Sequence, residues 1–291
     1  MLDHLKRLYQ DNLIFEHAVH DAGQYEWFHV EGQWVGILKT AMGLKERQLL
    51  ELFFSHEIDT HTLNDQERPW HQLFIEKSMP TEPLPEHRLI HFHIKEALLD
   101  RDSFAEAVKG IYPYTPVIIW ESLHRGFLIE PQTVSLEEPI AYEDLAEALT
   151  GDFYSDVHVY IGHTQKADEN AYARYLIEQE SFAISRKLHS KSPVFFHAEQ
   201  LPLYLVSQSS QETIAEVKAM LEQVADDKEL LHSVRKFLES NMNISTAAKA
   251  LFVHRNSLQY RVDKFIERTQ LDVKTFHQAV TVYIAMLAMD L

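Results

Sequence analysis

The chain has no cysteine, which excludes disulfides, thiolate metal sites and cysteine nucleophiles. Glycine and proline are scarce, at eight and ten in 291 residues, so a low-complexity or collagen-like chain is excluded. No apolar run approaches the ~18 residues that a bilayer-spanning helix needs. The N-terminus, Met1-Leu2-Asp3-His4-Leu5-Lys6-Arg7, lacks the apolar core of a signal peptide. A cytoplasmic protein with no membrane partner is the expectation. There is no Ser/His/Asp order, Walker loop or GxGxxG, so the sequence names no catalytic residue and no cofactor. Positive charge is also short. With 27 Lys and Arg against 44 Asp and Glu, the net charge of −17 argues at first sight against a polyanionic partner.

That deficit is unevenly spread. From Glu229 to Leu291 there are eight Lys/Arg and six Asp/Glu, a local balance of +2; removing it from the whole leaves −19 on the other 228 residues. A small basic module on an acidic body is compatible with DNA, because phosphates respond to the local patch more than to the global sum.

The length allows two or three domains. Residues 1–80 are expected to form a small α+β region: a helix from Leu2 to about His20, a hairpin of Tyr25–Val30 and Gln33–Leu38 joined at Glu31-Gly32, and a helix from Lys45 to His56 that buries Leu49, Leu50, Leu52 and Phe53. Residues 57–86, polar and bearing Pro69, Pro80, Pro83 and Pro85, read as a linker or long connection. Residues 87–208 alternate. Strands are expected at 89–94, 116–120, 126–129, 157–162 and 203–206. Helices are expected at 103–110 (with Ser103 as N-cap), 142–149 and 169–189. The order fits an α+β sheet with helices on one face. The 169–189 helix, acidic early and basic late, complements its dipole and reads as solvated. From 209 onward the pattern is all-helical, with helices near 211–224, 228–241, 245–252, 255–268 and 275–289.

The informative stretch runs from Asn243 to Val262. Asn243 or Ser245 can cap a first helix. Ala247 and Ala248 are small enough for a close helix crossing. Leu251 and Val253 mark a turn, and Leu258, Val262 and Phe265 recur at helical spacing as a buried seam. Opposite that seam lie His254, Arg255, Asn256, Ser257, Gln259, Arg261 and Lys264, the residue types that pair with phosphates and base edges. They cluster at the helix start, the end that enters the major groove in a helix-turn-helix. Tyr260 could contact a phosphate or pack its ring on its own domain; packing is the expectation, since aromatic residues on a helix usually bury most of their area.

The string His254-Arg255-Asn256-Ser257-Leu258-Gln259-Tyr260-Arg261 resembles the signature of the C-terminal helix-turn-helix of the PucR/CdaR family of bacterial transcriptional regulators. The Leu230-Leu231 to Phe237-Leu238 helix, Ala247-Ala248 and the closing Thr281–Leu287 segment fit as well. The resemblance spans residues ~227–291, and Phe252 departs from helix-turn-helix patterns that often carry glycine in the turn. It implies that Arg255, Asn256, Ser257 and Arg261 sit at or near double-stranded DNA. It further implies a homodimer or higher homo-oligomer, RNA polymerase as a candidate partner, and activation of a catabolic operon under an unknown small-molecule effector.

Residues 87–197 resemble, in pattern more than in residues, the GGDEF-like domain that often precedes this helix-turn-helix. The fold class implied is a GGDEF-like (ferredoxin-like) α+β middle domain, an all-α helix-turn-helix domain at 227–291 and a small α+β N-terminal region. A working cyclase needs a Gly-Gly turn and carboxylates for Mg²⁺. Here the turn is Glu121-Ser122-Leu123-His124-Arg125, so the expectation is a scaffold and not an enzyme. The alternatives are a nucleotide-binding or nucleotide-cyclising enzyme, or a helical protein-interaction adaptor. His91 and His93, at i and i+2 on one strand, could ligate a metal; with 18 histidines chance pairs are expected, so no metal site is assigned. Tyr25, Trp27, Phe28 and Trp34 are read as hairpin core in preference to a ligand pocket.

Overall fold

A computed structural model of the chain describes residues 2–15, 25–30, 33–43, 45–47, 49–50, 63–96, 101–122, 124–132 and 140–291. They form two compact units, Met1–His197 and Ala198–Leu291.

The first unit opens with α1 (Leu2–Tyr9) and a short 3-10 turn, then three strands, β1 (Leu13–Phe15), β2 (Tyr25–Val30) and β3 (Gln33–Leu38). The expected long first helix is therefore shorter: Leu13, Ile14 and Phe15 pair antiparallel with Ile37, Gly36 and Val35 instead. β-branched and aromatic side chains favour the pleated surface that β3 offers. β2 and β3 are the expected hairpin; its turn at 31–32 lies outside the described residues, as do Leu52, Phe53 and the side chains of Trp27 and Trp34. Leu5, Tyr9, Phe28, Val30, Val35 and Ile37 make this sheet's core.

The stretch expected to be a linker contains a helix, α2 (Arg68–Phe74), which starts with Pro69 in its first turn and buries Trp70, His71, Leu73 and Phe74. Proline there lacks only an N–H that the first turn leaves unpaired anyway, so composition alone misread the segment.

The main sheet has β4 (His87–Ile94), β5 (Val117–Trp120), β6 (Arg125–Pro131), β7 (Val157–Ile161) and β8 (Val194–Phe196), in the order β5-β6-β4-β7-β8. β4 pairs antiparallel with both β6 and β7, and β5 with β6. With α3 (Arg101–Ile111) between β4 and β5, and α4 (Tyr142–Phe153) between β6 and β7, the first four strands have the ferredoxin-like split β-α-β order. Ser103 lies inside α3 and does not cap it.

Helices cover both faces of this sheet, not one. Ile90, Phe92 and Ile94 of β4 face Phe104 and Val108 of α3 and Leu145 and Leu149 of α4. Leu89 lies in a second cluster with Trp70 and Phe74 of α2 and with Ala171 and Tyr175 of α5 (Ala171–Leu188). The central strand is thus buried on both sides, as its near-continuous apolar run requires. α5 is not a solvated helix either. Its Glu178 is 2% exposed and bonds the His91 ring at 2.9 Å and the His163 backbone N–H at 3.0 Å.

The second unit is helical. Leu203–Val206, expected as a strand, belongs to α6 (His197–Ser207), where Leu203 and Val206 are buried one helical turn apart despite Pro202. α7 (Gln211–Ala219), α8 (Lys228–Glu239), α9 (Ile244–Ala250), α10 (Arg255–Thr269) and α11 (Phe276–Asp290) follow the expected pattern. Leu230, Val234, Phe237, Ala247, Ala248, Leu258, Val262, Phe265, Val282 and Met286 form one core. The Arg235 guanidinium closes it with a fork onto Asp290, at 2.6 and 2.9 Å, and a bond to the Met286 carbonyl at the end of α11.

Candidate nucleic-acid interface

α9 begins at Asn243, whose side-chain oxygen accepts from the backbone N–H groups of Ser245 and Thr246, both at 3.0 Å. Asn243, rather than Ser245, is therefore the cap. α9 ends in a double bond pattern: Phe252 N–H donates to the Lys249 carbonyl and Val253 N–H to the Ala248 carbonyl. This closure needs a left-handed residue at Phe252, and its φ is 55°. The glycine usual at such a position would relieve a strain of about 1–2 kcal/mol. Here the chain keeps an aromatic side chain, 96% exposed, at the corner.

The second helix starts at His254, whose Nδ1 accepts from the Asn256 N–H at 3.2 Å. That acceptance fixes the ring proton on Nε2, which points the remaining donor away from the helix end. Ala247 and Ala248 let α9 approach the seam of Leu258, Val262 and Phe265 on α10, all fully buried.

Beyond this frame the seven residues named from the sequence divide. Arg255, Asn256 and Ser257 are exposed in the first turn of α10. Gln259 bonds Asp263, one turn along, at 3.0 and 3.1 Å. Arg261 turns inward: it donates to Ser233 Oγ at 2.9 Å and pairs with Glu229, both on α8. Lys264 pairs with Asp227, the N-cap of α8, at 3.2 Å, and Arg268 joins it at 3.1 Å. The Leu230 backbone N–H, followed by the Lys264 ammonium, holds the Asp227 carboxyl below the usual range. These basic residues fasten α10 to α8.

Two exposed groups next to this face were not assigned to it from the sequence. Lys249, on the side of α9 away from the Ala-Ala contact, has no ion pair among the described residues; nor has Arg255. Tyr260, read as packed, is 69% exposed. It lies off the Leu258–Val262–Phe265 seam on the same stripe as Asn256, so the helical phase, not its aromatic type, was the better guide.

Residues 230–288 match the PucR C-terminal helix-turn-helix domain. Along its length the chain is similar to the uncharacterized protein YxkF of Bacillus subtilis (strain 168), 31% identical with 97% of each chain covered. The chain belongs to the PucR family of transcriptional regulators. It is a DNA-binding regulator. This PucR-family chain is also similar to a leucine-rich protein of Streptococcus dysgalactiae subsp. equisimilis, 24% identical over 92% of this chain and 94% of that one. Over 55 residues it is 33% identical to the DNA-binding transcriptional activator AdeR of Bacillus subtilis (strain 168), covering 19% of this chain and 13% of that one. Among the described residues no helix is long and apolar enough to cross a membrane.

Proposed function

We propose that this PucR-family regulator is a cytoplasmic, sequence-specific activator of a catabolic operon, acting as a homodimer or higher homo-oligomer with RNA polymerase and under a small-molecule effector. The observation that carries the DNA reading is the first turn of α10, where Arg255, Asn256 and Ser257 stand exposed beyond a capped turn. Arg suits guanine or phosphate, Asn adenine, and Ser phosphate. His254 Nε2, Lys249 and Tyr260 flank them. Gln259, Arg261 and Lys264 belong to the interface at its margin, where reaching DNA would cost them the bonds they already make. Two copies supply the spacing and affinity that one short reading surface lacks.

The domain division that goes with this reading is 1–80 for sensory input, 87–208 for a degenerate GGDEF-like domain and 227–291 for DNA. The ferredoxin-like strand order supports the middle assignment. The Glu121 carboxylate accepts from Tyr175 Oη and Gln179 Nε2 and is nearly buried, which leaves it badly placed for Mg²⁺ and counts against a cyclase.

The test is a salt-series mobility shift of the full chain on its own upstream region. Arg255→Ala should weaken specific binding about 10- to 100-fold, as expected for one bidentate base contact of ~1–3 kcal/mol. Equal binding of specific and scrambled duplexes by the folded wild type would overturn the reading.

A further inference from the structure

Between α5 and the β4–β6 pair lies a small cavity of about 40 Å³, lined by His93, Glu121, Arg125, Gln179, Phe182 and Arg186. Its electrostatics are lopsided. Arg125 and Arg186 are close enough to repel each other, and Arg125, Arg186, His124 and His158 all disfavour protonation of His93. The one carboxylate in the wall, Glu121, is already committed to Tyr175, Gln179 and, at 3.7 Å, Arg125. Arg186 has no ion pair among the described residues. Its buried Nε makes no hydrogen bond, nor does the buried Nδ1 of His93. Arg186 gains from lying 5.0 Å from the Phe182 ring and from the C-terminal end of α5, but neither contact satisfies Nε–H. A buried donor on an uncompensated cation is costly to keep without an acceptor.

We infer that this cavity is a binding site for a small organic acid, whose carboxylate seats between the guanidinium groups of Arg125 and Arg186 with the His93 ring beside it. The volume sets the head group. One water position needs about 10–15 Å³ of such space, so the cavity has room for roughly the three heavy atoms of a carboxylate. An Arg fork matches a carboxylate in two parallel bonds. Arg125 is the entry, being more than half exposed, and the remainder of the acid lies outward from it. As the effector site of the regulator this inference rests on the function proposed above.

The experiment uses the full-length protein and titrates acetate, lactate and malonate, each against chloride at equal ionic strength, with inorganic phosphate as a separate arm; the readout is thermal stability and calorimetry. At least one carboxylate should give a saturable rise in melting temperature. Arg186→Gln should weaken that binding at least tenfold. Arg125→Gln, a change at an exposed side chain that leaves the fold intact, should do the same. Absence of any saturable carboxylate response in the wild type, or an unchanged affinity in both variants, overturns the inference. A saturable response to phosphate alone overturns the carboxylate assignment. Operator binding is measured on the same samples. Intact operator binding without an anion response sinks only this inference, whereas lost operator specificity sinks the functional reading.

Discussion

At the scale of single residues, a tight constraint is Gly162, directly after β7. A Cβ built there would meet the Glu178 carboxylate at 2.5 and 2.7 Å. That carboxylate cannot move aside cheaply, since it is buried and held by His91 and the His163 N–H. Gly162→Ala should therefore cost about 2–3 kcal/mol, an overpacking penalty with a disturbed buried pair added. Chemical denaturation of the full chain would show it as a lower midpoint for the first unit; an unchanged midpoint would mean that Glu178 is free to yield. The sequence shows Gly162 only as the end of a strand. Its partner lies 16 residues on, and their contact is set by how α5 lies over the sheet.

At the scale of elements, α10 is held to α8 by Arg261 and Lys264, while its first turn faces outward. Arg255→Ala and Arg261→Ala should then differ in kind. The first should leave the melting temperature unchanged. The second should remove about 1 kcal/mol by losing the bond to Ser233, the exposed pair with Glu229 counting for little. For a unit of this size that is a fall of roughly 4–8 °C in melting temperature. Equal melting temperatures for the two variants would show that the inward bonds carry no stability.

The helices of this unit were legible because the pattern of Leu258, Val262 and Phe265 is local and caps such as Asn243 announce themselves. The direction of each basic side chain was not legible. Arg255 and Arg261 are the same residue type on one helix, and only the position of Glu229 and Ser233, some 30 residues earlier, separates their roles. Elsewhere the misread elements have specific causes. Leu13-Ile14-Phe15 continued an apolar pattern that both helix and strand accept, and a distant partner, β3, decided it. Leu203-Tyr204-Leu205-Val206 is a short apolar run of the same ambiguity, settled by the neighbours that bury Leu203 and Val206. The proline-rich run around α2 hid a helix because Pro69 sits where a helix tolerates it.

At the scale of the whole molecule, burial sets a pH dependence. Desolvation lowers the ring values of His87, His93 and His197, that of His93 to about 3. A histidine whose folded value is depressed gives its full stability above the ordinary value of about 6.5, and loses it as pH falls from there toward the folded value. Stability of the first unit should therefore decline as pH drops from 7 to 5, with His93 alone contributing a slope of up to ~1.4 kcal/mol per pH unit. Carboxylates held below their usual range, Glu26 and Asp168 among them, keep their stabilisation through this window and lose it only as pH falls below the ordinary carboxylate range. His93→Gln should flatten the curve between pH 7 and 5, and a curve of unaltered slope would exclude His93 as a source.

The inward ties of α10 also bear on how strongly the molecule can hold a duplex. Each phosphate neutralised releases condensed counterions and contributes about −0.9 to the slope of log affinity against log salt. Arg261, Lys264 and Arg268 spend their charge on Glu229 and Asp227, which leaves Arg255 and Lys249 beside the reading turn to displace ions. A single copy should then show a slope of only about −2. Such a module gains little from non-specific DNA, and its occupancy of an operator becomes a question of how many copies act together. Measured slopes should rise in multiples of that single-copy value as the protein assembles, and a steep slope from a monomer would mean that the inward bonds open on contact.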